Sequence, residues 1–442
     1  MLSHALNINV PPSSVPNDTF VEQLIVKRIE LKQRSPRHQN HPEPLKEVNH
    51  VSKKDPVSSE STFGVKPHKV SARHVVKEQS QHNDKSSALM LEDVEDFEPA
   101  TTSTTSVRTV SQVSKNYKAN TLGLEDIKKL KGLMLGDSKQ ALPPTWTRQG
   151  IFFYEPKDRG TDEIFKYGLL QQEGGPCGVL SVIQAFVLKN YMKDKSCPKR
   201  DLLVNSLVEL YENSVGKKTS YQLFQIAITN PLKDTFEKYK FTYFTVNSLS
   251  EVKEFLKANY EFYTKEDGVG MLSFTISVLI SVGLDVLTKQ MSTALNPSLI
   301  VEFGYCSQEM VNLLLVGYCT SYLHDFDPSS SDGITSDGIK QQSSIGFLSI
   351  LEHHGYVKVG DSLKNPKNPI WIVYFESHYS VLFEQEPNQV YYYDQLMKQE
   401  TDIHLTLVKG KPGDSEYPLE NVISTRWRDS KVSSWNGTEP LL

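Results

Sequence analysis

A cysteine, Cys177, stands directly behind Gly174-Gly175-Pro176 and at the head of an apolar run that continues from Val179 through Leu188. Gly-Gly-Pro breaks regular structure and forces a turn. The run after it suits a buried helix, which puts Cys177 in the first turn. Backbone N–H groups there have no intrahelical partners, and the dipole end is positive. Both features favour the thiolate, the nucleophilic form of cysteine. A cysteine before an apolar helix is more often a small buried hydrophobe. Catalysis therefore requires a base from elsewhere in the chain.

Five histidines lie in the part of the chain that composition marks as ordered: His324, His353, His354, His378 and His404. His324 borders an acidic loop, which points to surface exposure. His353 and His354 are adjacent on a helical pattern, about 100° apart around the axis, a poor arrangement for shared metal ligation. His404 alternates with Ile403 and Leu405 as a solvent-facing strand residue does. His378 differs. It sits between two β-type runs, Trp371-Ile372-Val373-Tyr374-Phe375 and Tyr379-Ser380-Val381-Leu382-Phe383, so rigid elements would hold its imidazole. The bland alternative is a half-buried histidine at a sheet edge. Asp394, after Tyr391-Tyr392-Tyr393, is a candidate orienter of that base or simply a turn residue. An acyl-transfer site also needs an oxyanion donor beyond the backbone. Gln171 and Gln172, on the far side of the Gly-Gly-Pro turn, both qualify, and spacing does not separate them.

The elements that position these residues follow from pattern. Residues 1–118 are poor in aromatics and rich in Ser, Lys, His, Pro, Gln and Glu, and read as a mostly disordered tail. Within it, 17–33 has the spacing of a short amphipathic helix, and 88–98 joins an apolar stretch to an acidic run, which reads either as a solvated patch in a linker or as a short partner-binding segment. Residues 119–442 read as one mixed α and β domain, with helices around the cysteine and an antiparallel sheet late in the chain. Helices are expected near 122–135, from Cys177 to about Tyr191, at 200–213, 248–257, 268–290, 308–315 and 347–354. Strands are expected at 151–154, 241–246, 370–375, 378–383, 390–393 and 404–408. Residues 329–344 read as a loop long enough to act as a lid.

Composition narrows the function classes. The 442 residues carry a net charge of -5, which makes no global case for nucleic acid. The four cysteines form no CxxC pair, and their spacing suggests neither a disulfide framework nor a zinc site. No GxGxxG or Walker-type loop calls for a cofactor. The most apolar stretch, 271–287, is interrupted by Ser273, Ser277, Ser281, Gly283 and Asp285, and reads as buried helix, not a membrane span. With no signal peptide recognisable, a reducing cytosolic or nuclear setting is expected.

The block Gln171-Gln172-Glu173-Gly174-Gly175-Pro176-Cys177-Gly178-Val179-Leu180 resembles the catalytic cysteine motif of the MINDY deubiquitinases, most of all their long-tailed branch. Further blocks resemble it in order: Gly304-Tyr305-Cys306-Ser307-Gln308-Glu309, Ile345-Gly346-Phe347-Leu348-Ser349, Glu376-Ser377-His378, Tyr391-Tyr392-Tyr393-Asp394 and Trp435-Asn436-Gly437-Thr438. The resemblance covers 119–442 and implies a papain-like cysteine peptidase of α+β class. Its substrates would be isopeptide bonds in polyubiquitin, chiefly chains linked through ubiquitin's forty-eighth lysine. By motif position it implies Cys177 as nucleophile, His378 as base and Gln171 as oxyanion donor. Two rivals stand beside it: a polyubiquitin-binding protein with an inactive or autoinhibited site, and a peptidase for another ubiquitin-like modifier.

Overall fold

The computed structural model describes residues 117–136, 141–155, 166–231, 233–329, 338–375, 377–397, 399 and 402–438. The expected tail helix at 17–33, the acidic segment at 88–98 and residues 330–337 of the expected lid lie outside them. In chain order the elements are β1 (Ala119–Thr121), α1 (Leu124–Leu135), α2 (Pro144–Thr147), α3 (Cys177–Lys193), α4 (Lys199–Val215), β2 (Tyr221–Ala227), β3 (Lys240–Val246), α5 (Leu249–Ala258), α6 (Tyr260–Thr264), α7 (Gly270–Val282), α8 (Leu284–Met291) and α9 (Gln308–Val316). The later elements are β4 (Gly346–Ser349), α10 (Ile350–His353), α11 (Asp361–Lys364), β5 (Ile370–Phe375), β6 (His378–Glu386), β7 (Gln389–Tyr393), β8 (Ile403–Lys409), α12 (Pro418–Arg426) and β9 (Ser430–Ser434).

Helix α3 is the spine. Every residue from Cys177 through Leu188 is buried, as expected of a helix that is apolar all round. It packs against α4, α9, β5 and β6. The six-stranded sheet runs β4-β5-β6-β7-β8-β9. It is mixed, not purely antiparallel, because β4 runs parallel to β5. Alternate residues sort to its two faces. Ile370, Ile372, Val381, Phe383 and Tyr393 join the core around α3. Trp371, Val373, Leu382, Tyr392 and Leu405 join a second core with Leu419, Val422 and Ile423 of α12. Both faces are covered, so β5 reads as an unbroken apolar run.

A second sheet has the order β1-β3-β2, and α7 lies along the free edge of β2. The three serines that interrupt the apolar stretch explain the fit. Ser281, Ser277 and Ser273 Oγ accept the backbone N–H groups of Gln222, Phe224 and Ile226 at 2.9, 2.8 and 3.2 Å. Four helical residues rise about 6 Å, and two strand residues span about 6.6 Å. A serine on every fourth helical position therefore meets every second strand amide, and the helix stands in for a missing strand. The stretch is bent by 87° between Val282 and Leu284. Among the described residues no single helix is long and apolar enough to cross a membrane.

Two expectations are corrected. Residues 347–354 carry a helical pattern, yet Gly346–Ser349 is strand and only Ile350–His353 is helix. Pairing with β5 supplies the backbone bonds of β4 and overrides local preference. The expected strand at 151–154 is reduced to one bridge, Phe153 with Leu169. By contrast, the expected caps form: Ser248 Oγ accepts from Glu251 N at 3.2 Å, and Ser307 Oγ from Met310 N at 3.3 Å.

Candidate active site

The turn before α3 is fixed by close contacts that only glycine allows. Gly175 has φ 132°, and a Cβ there would sit 2.6 Å from Thr145 Oγ1. A Cβ on Gly178 would sit 2.7 Å from Cys306 Cβ and 2.8 Å from Val311 Cγ2. Cys177, the first helical residue, is only 1% exposed. Its Sγ lies 3.9 Å from Gly175 O, and so does Cys306 Sγ. Two thiols thus flank one carbonyl. Burial, reinforced by the nearby Cys177, pushes the Cys306 thiol far up, against the Val179 and Gly178 N–H groups that face its sulfur. Cys306 belongs to the site, and sequence reasoning gave it no role. Its only signal was its place one residue before the Ser307 cap of α9.

His378 opens β6. The β5–β6 hairpin pairs Phe375 with His378, so the imidazole is carried on a tight turn. Ser377, just before it, has φ 58°, an uncommon conformation for a residue with a side chain. Helix α3 lies against β5 and β6, which brings the N-terminus of α3 to this hairpin. His378 Nε2 is 2.9 Å from Asp394 Oδ1. Burial alone would drive the imidazolium toward neutrality. Hydrogen bonds to Asp394 and to Cys177 outweigh it, and hold the His378 pKa up at about 10.

Asp394 follows the last residue of β7, next to Tyr393, which pairs with Val381. Its Oδ1 also accepts Leu396 N at 2.8 Å, and its Oδ2 accepts the Tyr392 hydroxyl at 3.4 Å. Gln399 Oε1 accepts Asp394 N at 3.1 Å. The carboxylate is therefore fixed in place.

The two glutamines part ways. Gln171 is fully buried, and its backbone N donates to Gln395 O at 2.8 Å, tying the turn before Cys177 to the loop after Asp394. Its Nε2 donates to Glu173 O at 2.7 Å, and its Oε1 is buried with no hydrogen-bond partner. Gln172 turns to another surface, where, with its amide oriented to satisfy its neighbours, the nitrogen reaches Arg148 O at 2.7 Å and Glu266 O at 3.2 Å.

The other histidines are placed elsewhere. His353 pairs with Asp414, and burial lowers the pKa of His354. His404 stacks on Tyr391 with ring centroids 4.4 Å apart. His324 is half-buried, not surface-exposed, with Nδ1 3.1 Å from Asp325 O. No group of three or more His, Cys, Asp and Glu residues suited to a metal occurs among the described residues.

A family model described as "Deubiquitinating enzyme MINDY-3/4, conserved domain" matches residues 131–437. The chain belongs to the MINDY-3/4 family. The mouse (Mus musculus) protein named probable ubiquitin carboxyl-terminal hydrolase MINDY-4 is 29% identical over 420 residues, covering 86% of this chain and 55% of its own length. The human (Homo sapiens) MINDY-4 of the same name is 29% identical over 394 residues, covering 80% of this chain and 51% of its own length. Ubiquitin carboxyl-terminal hydrolase MINDY-3 of Danio rerio is 31% identical over 263 residues, covering 51% of this chain and 58% of its own. The chain spans about half the length of the curated MINDY-4 relatives it matches. No solved structure matches it. Within this MINDY-3/4 domain, the structure brings Cys177, His378 and Asp394 into one cluster. Gln171 is tied to that cluster through Gln395, while Gln172 is not part of it.

Proposed function

We propose that this chain is a cysteine-dependent deubiquitinase that hydrolyses isopeptide bonds in polyubiquitin. The observation that carries the reading is His378 held 2.9 Å from Asp394 Oδ1 and acting on Cys177, which starts a buried helix. A nucleophilic helix laid against a sheet that carries the base suits a papain-like arrangement. The names of the MINDY-3 and MINDY-4 relatives point to ubiquitin as the acyl group.

In the mechanism, imidazolium His378 stabilises the Cys177 thiolate across their hydrogen bond. The thiolate attacks the terminal glycine carbonyl of one ubiquitin. The oxyanion gathers the Cys177 N–H at the helix start and the Gln171 amide. His378 then gives its proton to the departing lysine amine, and the deprotonated ring activates the water that resolves the thioester. Asp394 keeps the ring oriented throughout and favours its charged form. Chains linked through ubiquitin's forty-eighth lysine are the substrate that the family resemblance implies. Four free cysteines suit the reducing cytosolic or nuclear setting proposed for it.

One observation favours a closed resting state. Cys177 is 1% exposed, and the Gln171 amide is spent on Glu173 O. Substrate must open the turn and free that amide. The test is cleavage of polyubiquitin by wild type and Cys177→Ala, with binding of the same chains measured alongside. Cleavage lost in Cys177→Ala while binding persists supports the enzyme. Binding without cleavage by wild type makes it a chain-binding protein, and cleavage of other ubiquitin-like conjugates alone would change its substrate.

A further inference from the structure

Phe303 is 80% exposed, the most exposed of the large apolar side chains among the described residues. Its backbone is left-handed, φ 60° and ψ 9°. A bulky residue rarely adopts that conformation, and it persists only where surrounding structure imposes it. Here the surroundings are rigid. Ile300 and Cys306 bridge in antiparallel fashion. Val301 N donates to Tyr305 O at 2.9 Å, closing a tongue whose tip is Phe303. Trp146 Nε1, buried, donates to Gly304 O at 2.7 Å and clamps the tongue to α2. Tyr305, itself partly exposed, meets the Phe303 ring edge-on with centroids 6.5 Å apart. Neither ring is buried in the core of the protein.

Its position supplies a use. Gly304 O lies 3.4 Å from where a Gly175 Cβ would be, and Cys306 Sγ faces Gly175 O at 3.9 Å. The base of the tongue is therefore built onto the turn that carries Cys177. The other loop tied to that turn, through Gln171 N and Gln395 O, bears the exposed Leu396 and Met397. Exposed apolar side chains thus occur on both loops joined to the nucleophile turn. An acyl donor must lay its C-terminal segment across this turn to bring its carbonyl to Cys177.

We propose that Phe303, supported by Tyr305, is a specificity-determining residue that grips the apolar side chains upstream of the terminal glycines in the tail of the acyl ubiquitin. This rests on the hydrolase reading above. The strained backbone holds the ring out in the substrate's path, and the ring gains its burial only when substrate arrives. Its contribution then appears in substrate capture, not in the stability of the free protein.

The test uses the full chain as wild type, Phe303→Gly and Phe303→Ala. The substrates are ubiquitin bearing a C-terminal fluorogenic amide, and the same substrate with the tail leucines changed to alanine. Glycine relieves the left-handed strain while deleting the ring, so Phe303→Gly is expected to melt at an equal or higher temperature. Both variants are expected to lose about ten-fold or more in kcat/KM on native ubiquitin, mainly through KM, as one large side chain loses its burial. On the alanine-tail substrate, wild type and variants are expected to converge. Equal kcat/KM on native ubiquitin, an undiminished gap on the alanine-tail substrate, or a lower melting temperature for Phe303→Gly would overturn the proposal while leaving the hydrolase intact. A wild type that turns over neither substrate would refute the hydrolase reading and this inference with it.

Discussion

His378 Nε2 stands 2.9 Å from Asp394 Oδ1, across sixteen residues of sequence. That carboxylate is held from three sides, by His378, Leu396 N and the Tyr392 hydroxyl. Asp394→Asn removes the charge that supports the imidazolium and offers an amide where only acceptors fit. Its kcat is expected to fall about a hundred-fold or more, in the range of a displaced acid–base catalyst. The alkaline limb of the pH–rate profile should also move to lower pH, because less holds the His378 proton. An alkaline limb unchanged in Asp394→Asn would remove Asp394 from this role.

The same pair predicts a pH dependence of stability. His378 is raised from an ordinary value of 6.5 to about 10 in the folded protein. A raised histidine contributes stability in full below its unfolded value and loses it as pH climbs through its folded value. The stability gap between wild type and His378→Gln, measured by denaturant unfolding, should therefore be at its full width below pH 6.5 and should shrink as pH rises toward about 10. A gap that widened across that window would contradict the assignment.

Gln171 and Gln172 are neighbours with separate fates, and mutation should tell them apart. Gln171→Ala is expected to lower kcat about 10²–10³-fold with little change in KM, as loss of an oxyanion donor does. Gln172→Ala, whose amide reaches Arg148 O and Glu266 O instead, should keep nearly wild-type kcat. Steady-state kinetics on a ubiquitin amide checks both. Equal losses would mean that the turn is perturbed as a whole.

The serine ladder is testable apart from catalysis. Ser277→Ala leaves the buried Phe224 N–H without its partner at 2.8 Å. The expected cost is about 1–3 kcal/mol, that of an unsatisfied buried donor. Ser292→Ala, at an exposed position after α8, should cost almost nothing. Urea unfolding of the two variants makes the comparison.

What the sequence made legible divides along physical lines. Cys177 and His378 stood out as candidates because each sits at a junction that local chemistry announces, a glycine–proline turn into an apolar run and a break between two β runs. The caps at Ser248 and Ser307 were visible for the same reason. Strand β4 was not, since its backbone bonds come from β5, more than twenty residues away in sequence. The preference for Gln171 over Gln172 was invisible to spacing and rests on resemblance; the structure adds only that their amides have different partners. Cys306 was missed because nothing in its neighbourhood reveals that a distant glycine, Gly178, leaves room for it against α3. Ser273, Ser277 and Ser281 were read only as interruptions of an apolar stretch. Their spacing of four was on view, but its meaning depended on an open strand edge beside them.

The most direct measurement offers the protein a ubiquitin whose C-terminal carboxylate is replaced by an electrophile, and maps any adduct by peptide mass. The account predicts a single covalent adduct on Cys177 Sγ, abolished by Cys177→Ala and slowed by His378→Ala. No adduct at any probe concentration, or an adduct that survives Cys177→Ala, would contradict it.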